Sequence, residues 1–261
     1  MLQEYWKRTL SVALVCMTYI FLYVPIVVLT IFSFNKDQFP APWSGFTTYW
    51  YYELWTSSYL WEAFYTSLGI AVAATILSVG MGVLLLFFLM YRDVSAKRYV
   101  HIFYANLLIP EVVLAVGLLG FFSYFEVILG ARTLIIAHTV LGLGYVVPII
   151  YQKYSSLEPH LIEVSLDLGA TYWQTFVRVI LPLLQPSLVA AGLLVFIVSF
   201  DDFVLSYFCS GSTTQTLSLY IVSMLRTGIS PVVNALSTIL LMISSILVLL
   251  FCYYNVRSEV L

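Results

Sequence analysis

The strongest constraint in this sequence is where charge is missing. No Asp, Glu, Lys or Arg occurs between Arg8 and Lys36, and none between Glu62 and Arg92. A helix needs about 20 apolar residues to cross a hydrocarbon core roughly 30 Å thick, and each gap is long enough to supply one. The chain has 261 residues, 9% of them charged and 62% apolar, whereas a soluble domain carries about 25% charge. Too few charges exist to coat a water-facing globule, which excludes a soluble enzyme and a disordered chain. A net charge of −2 without a basic tract excludes a nucleic-acid binder. An integral membrane protein remains.

The same gaps predict six spans: 10–33, 64–90, 98–126 (interrupted by Glu111), 132–153, 187–208 (containing Asp201 and Asp202) and 232–254. Runs this long satisfy their backbone internally as helices, and the strict alternation of a barrel is absent. The fold class is therefore all-α and polytopic. The first apolar stretch exceeds a signal-peptide core and lacks a small-x-small cleavage site, so a retained anchor is expected. With the N-terminus inside, Lys7, Arg8, Arg92, Lys97, Arg98, Lys153, Arg178 and Arg257 fall on the cytoplasmic side. Only Lys36, Arg132 and Arg226 fall outside. This bias places both termini in the cytoplasm. Segment 35–61 is rich in Trp and Tyr and is expected to lie along the outer interface. The chain reads as one transmembrane domain over 1–261, with an inner loop at 155–182.

That loop is predicted to fold as helix, glycine turn, helix. Leu161, Ile162, Ser165 and Leu168 recur at helical spacing, Gly169 ends the first helix, and a second amphipathic stretch stops at Pro182. On composition alone it is an interfacial linker. The run Glu163-x5-Gly169, then nine residues, then Val179-x-Leu181-Pro182 resembles the EAA loop of ABC-importer permeases, E-A-A-x3-G-x9-I-x-L-P. Val164-Ser165 replaces the two alanines and Val179 the isoleucine. Further segments are similar to polyamine-type (spermidine/putrescine) permeases. These are Tyr23-Val24-Pro25-Ile26, Ser33-Phe34-Asn35, Trp43-Ser44-Gly45-Phe46-Thr47, Ile109-Pro110-Glu111-Val112-Val113, Ser199-Phe200-Asp201-Asp202-Phe203-Val204 and Arg226 to Ala235.

The resemblance implies a type I ABC importer permease fold in the bacterial inner membrane. It implies a coupling helix, with Glu163, Asp167, Gly169, Ala170 and Pro182, that docks on an ATPase dimer. It also implies a second homologous permease and an external solute-binding protein. The chain has no Gly-x4-Gly-Lys-Ser/Thr loop, so ATP and Mg are expected on the ATPase partner and no cofactor on this chain. Related permeases carry ferric iron, sulfate or phosphonates, and these stay open as alternative cargoes. A secondary cation transporter is a further alternative, but its inverted repeats are not found. An intramembrane aspartyl protease lacks the Gly-x-Gly-Asp setting.

An acid at mid-span costs about 2.5–3.5 kcal/mol on insertion scales, which makes such residues functional candidates. Glu111, roughly 14 Å into span three, and Asp201, roughly 21 Å from the cytoplasmic end of span five, are both expected inside the hydrocarbon slab. No Lys or Arg shares that depth, so a cationic cargo is the expected partner. Polyamines want carboxylates for their ammonium groups and aromatic faces for cation–π contact. The expected cargo residues are Glu111, Ser199, Asp201, Asp202, Phe200 and Phe203. Ser199 and Asp202, three apart, share a helix face, while Asp201 and Asp202 diverge by about 100°. Tyr207 lies nearby in sequence. The remaining titratable groups look ordinary. His101, His138 and His160 show no metal-ligand spacing, and Cys16, Cys209 and Cys252 suggest neither disulfides nor a metal site. Gly142-x-Gly144 reads as a helix-packing surface. Pro110 and Pro148 are expected to kink or end their spans.

Overall fold

The computed structural model describes the backbone of residues 2–37, 42–92, 96–158, 160–227 and 231–258. Side chains at 2–9, 96–98, 227, 243–244 and 247–258 are outside that description. The expectations that rest on Lys7, Arg8, Lys97, Arg98, Arg257, Cys252, Pro159 and the 228–230 segment therefore lie outside the described residues.

Apart from its connecting loops and an isolated β-bridge between Asn35 and Phe46, the described chain is helical. In order it forms α1 (Leu2–Phe32), α2 (Tyr49–Thr56), α3 (Ser58–Arg92), α4 (Ala96–Leu108), α5 (Glu111–Tyr124) and α6 (Ala131–Ser155). After these come α7 (His160–Asp167), α8 (Tyr172–Thr175), a π turn at Phe176–Ile180, α9 (Leu181–Asp201), α10 (Val204–Cys209), α11 (Leu217–Thr227) and α12 (Pro231–Ser258). Four described helices are long and apolar enough to cross a membrane: Leu10–Phe32, Ser58–Arg92, Ala131–Ser155 and Tyr172–Asp201. A fifth span forms if Tyr99–Leu108 and Glu111–Tyr124, bent by 110° at their junction, are counted together. The expected sixth falls on α12, whose later side chains are not described.

Three expectations are corrected. Span three is not one rod but the bent pair α4–α5. Pro110 supplies no N–H and excludes Ile109 from the helical region, so the chain turns there. Span five starts earlier, because the second loop helix does not stop at Pro182. It continues through the π turn into α9, and Pro182, the second residue of α9, follows directly on that turn without ending the helix. Span five also ends earlier, at Asp201 instead of near 208, because Asp202 is extended (φ −64°, ψ 128°). Pro148 neither ends nor interrupts α6, which carries it to Ser155.

The chain forms two compact units, residues 1–60 with 221–261, and residues 61–220. In the first, α12 packs on α1 and α2. A buried Asn35 organises the segment between α1 and α2. Its Oδ1 accepts from the Ser44 N–H (2.8 Å), and its carbonyl accepts from the Trp50 indole N–H (2.7 Å). Tyr49, Tyr52 and Trp55 stay exposed around the buried Trp50.

The second unit is built around α6, most of whose apolar stretch is buried. Leu86 and Met90 of α3, Val146 and Ile150 of α6, Phe176 and Ile180, and Leu184, Ala191 and Val195 of α9 form one core cluster. Another joins Ile70, Ala115, Phe122, Leu134, Ala137, Leu141, Leu205 and Cys209. Gly142 and Gly144 let the neighbours of α6 approach closely. A Cβ at Gly142 would collide with the Ser78 side chain and stand 2.8 Å from Val195 Cγ1, and one at Gly144 would stand 2.7 Å from Asn106 Nδ2. The sequence reading of this pair as a packing surface fits these contacts.

Candidate functional site

The break after α9 concentrates polar groups in otherwise apolar surroundings. Asp202 follows the last residue of α9 and precedes α10, whose first N–H groups have no intrahelical partner. Its carboxylate accepts from the N–H of Ser206 (2.9 Å, Oδ2) and of Leu205 (3.4 Å, Oδ1), so it caps α10. Its carbonyl accepts a 2.6 Å hydrogen bond from the Ser218 hydroxyl. Asp202 is buried, while its neighbour Asp201 is exposed.

One turn earlier, the buried Ser199 hydroxyl lies 2.8 Å from Nδ1 of His138 on α6. The other ring nitrogen, Nε2, lies 3.5 Å from Asp202 Oδ2 and makes no hydrogen bond of good geometry. Ser199 and Asp202 thus converge on one imidazole, as their shared face predicted. Glu111 opens α5 directly after Pro110, where a carboxylate faces the positive end of the helix. Its carboxyl is near enough to that of Asp202 for the two to interact. The expectation that the acids lack partners within this chain is corrected: Asp202 meets His138, two backbone N–H groups and Glu111. The straight-helix depth of Glu111 is also superseded, since the acid sits at the 110° bend. Asp201 has no side-chain hydrogen bond or ion pair among the described residues.

The two phenylalanines turn away from each other. Phe200 stacks on Phe196 (5.9 Å) and meets Phe64 edge-on (5.8 Å), whereas Phe203 pairs with Tyr207 (5.6 Å). Phe64 also contacts Trp61 and Tyr65, so a row of rings runs along α3 to the end of α9. The structure therefore brings together Glu111, Ser199 and Asp202, and leaves Asp201, Phe200 and Phe203 at the edges of that cluster. Sequence reasoning missed His138. Its lack of metal-type spacing made it look ordinary, although the depth rule applied to the acids covers a histidine inside a span equally well. Among the described residues, no group of three or more His, Cys, Asp or Glu is arranged to hold a metal ion.

The loop residues lie elsewhere in the second unit. Helix α7 carries Glu163 and Asp167, both exposed, and the Glu163 carboxylate accepts a 3.0 Å hydrogen bond from His160 Nδ1. The helix ends in a Schellman motif: the Gly169 N–H donates to Leu166 O (2.9 Å) and the Ala170 N–H to Ser165 O (3.1 Å), with Gly169 at φ +88°. Thr171 then caps α8 in a capping box with Gln174. The Ser165 and Thr175 hydroxyls bond at 2.9 Å, tying the two short helices together. Val164 and Leu168 stay exposed, Leu168 at 83%. The predicted helix, glycine turn, helix is thus present, with Pro182 beyond the π turn.

Comparison with known proteins supplies the family. The family profile described as "Binding-protein-dependent transport system inner membrane component" matches residues 78–259, more than half of the chain. The chain is 35% identical over 239 residues to the spermidine/putrescine transport system permease protein PotC of Haemophilus influenzae, covering 91% of this chain and 93% of that protein. It is 31% identical over 258 residues to the putrescine transport system permease protein PotI of Escherichia coli, covering 95% and 91%. Two solved structures share the fold. A bacterial ABC transporter that imports the acidic polysaccharide alginate gives a TM-score of 0.70 at 12% identity, covering 98% of this chain and 97% of that chain. The inward-facing MetNI methionine ABC transporter gives 0.57 at 20% identity, covering 76% and 95%. The chain belongs to the family of inner membrane components of binding-protein-dependent transport systems.

Proposed function

We propose that this chain is one permease subunit of an ATP-driven importer whose cargo is a polyamine of the spermidine and putrescine class. In this reading residues 1–261 form a single six-span domain with both termini cytoplasmic, and a second, similar permease completes the pathway. An ATPase dimer holds ATP and Mg and receives the loop at 155–182, through Glu163, Asp167, Gly169, Ala170 and the adjoining Pro182. An external solute-binding protein delivers cargo to the other face. Transport proceeds by alternating access, with the exposed glycine hairpin transmitting the closure of the ATPase as a rigid-body push.

The observation that carries the reading is the near full-length similarity to permeases named for spermidine and putrescine. The site chemistry agrees with it. Glu111, Asp201 and Asp202 put three carboxyl groups near one helix break, without a Lys or Arg among them in the sequence of these spans, and rings line the approach. A linear polycation satisfies both features. The reading is tested in vesicles carrying the transporter with its partner subunits, by uptake of labelled spermidine into wild-type, Asp201→Asn and Glu111→Gln preparations. A raised KM in the variants supports it. Unchanged KM and rate in both, or purification of this chain in mild detergent without an ATPase subunit, overturns it.

A further inference from the structure

The geometry points to His138 as a positioning residue for the cargo site: its imidazole fixes where the Asp202 carboxylate stands to receive an ammonium group. The inference rests on the polyamine reading above and deepens it.

His138 is 1% exposed. It lies on the buried helix α6 beside Leu134, Ala137 and Leu141, with no water-facing side. An imidazole with two polar nitrogens is costly in such surroundings unless both are used. Nδ1 is used, at 2.8 Å from the Ser199 hydroxyl. Nε2 is aimed at Asp202 Oδ2 from 3.5 Å and has no other partner. The Ser206 hydroxyl is also buried without a hydrogen bond, and the Ser206 N–H donates to that same Oδ2. The carboxylate is thus held from behind by backbone donors and faced from the side by one unspent ring nitrogen. A movement of about half an ångström toward the ring converts the 3.5 Å approach into a hydrogen bond of ordinary length. The ring itself cannot follow the carboxylate, because Ser199 anchors it to the last turn of α9. Glu111, at the start of α5, is a neighbouring acid, so a cation received by the two acids pulls on a carboxylate whose resting place the imidazole defines.

The competing role is structural: His138 ties α6 to α9 through Ser199 alone. Asparagine and glutamine separate the two roles, because the Asn amide reaches where Nδ1 does and the Gln amide where Nε2 does. The experiment measures spermidine uptake in vesicles carrying the intact transporter, normalised to the assembled complex. H138L is expected to raise the KM about tenfold, the scale of one hydrogen bond to a charged group, with the maximal rate little changed. H138Q recovers most of that loss and H138N does not. In an Asp202→Asn background, H138L adds little, because the two residues act as a unit. Recovery by Asn and not by Gln, or full additivity with Asp202→Asn, overturns the positioning role and leaves the cargo reading standing. An unchanged KM in Asp202→Asn alone overturns the cargo reading, and the positioning role with it. If H138L does not assemble, the Gln and Asn variants decide by the same comparison.

Discussion

Replacing Gly169 isolates the backbone energetics of the loop hairpin from its contacts. Gly169 sits at φ +88°, and an added Cβ would meet no atom within 4 Å. The penalty for Gly169→Ala is therefore entirely conformational, about 1–2 kcal/mol for an L residue in the left-handed region. Helix α7 has only eight residues and none is buried, so little packing energy opposes opening of the turn. A loss of about 1.4 kcal/mol multiplies the open population by ten. The Gly169 and Ala170 amides are the two that close the Schellman motif. Their hydrogen exchange, followed in the intact transporter, should speed up about tenfold in Gly169→Ala. Asn, which enters the left-handed region more readily, should fall between Gly and Ala, and Val should exceed Ala. The thermal midpoint of the whole protein should stay put, since the core around α6 is untouched. Equal exchange at 169 and 170 in the Gly, Ala and Val forms would refute the reasoning, as it would mean that the left-handed turn carries no strain for a side chain. If this hairpin is the coupling element, the same variants should hydrolyse ATP with less uptake per ATP.

Three further perturbations follow from other parts of the fold. Gly142→Ala pushes a methyl into Ser78 and Val195 and should lower stability by about 1–3 kcal/mol, read as a lower thermal midpoint in detergent; Ser78→Ala should not rescue it, because Ser78 Cβ itself lies 3.0 Å from the added carbon. Thr171→Ala removes the side-chain cap on the Gln174 N–H and should cost about 1 kcal/mol, seen as faster exchange at that amide. Asn35→Ala deprives the Ser44 N–H of its acceptor at about 1–3 kcal/mol, and trypsin should then cut after the exposed Lys36 faster than in the wild type.

Periodic and compositional features of the fold were readable from the sequence. Gaps free of charge placed spans at 10–33, 64–90 and 132–153; the first overruns α1 by one residue, and the other two fall within α3 and α6. The spacing from Glu163 to Gly169 located the hairpin, because a positive-φ glycine leaves a signature of its own. What escaped were the places where one residue redirects the chain. Asp202 ends a span in mid-run because its side chain caps α10, and a carboxylate in an apolar run reads as a ligand before it reads as a cap. Pro182 looked like a stop, yet the helix runs on through it directly after the π turn. Pro110 was marked for a kink, but its size depended on tertiary packing that a sequence does not print. The site was half legible. The acids stood out against apolar neighbours, and Ser199 and Asp202 were correctly put on one face. His138 was passed over since it is distant in sequence from its partners, and only the packing of α6 against α9 joins them.

The π turn at Phe176–Ile180 sets a rotational phase. From Tyr172 to Asp201 the chain is one continuous rod of 30 residues, about 45 Å at 1.5 Å per residue. A π turn holds one residue more than the α turn it replaces, and one residue corresponds to about 100° around the axis. Every side chain of α9 is therefore indexed to the hairpin through that single extra residue. Were it lost, Ser199 would swing about a quarter turn or more from His138 while the hairpin stayed where it is. The nine-residue interval that follows Gly169 contains most of this turn, so the spacing of the loop motif doubles as the key that aligns one end of the rod with the other.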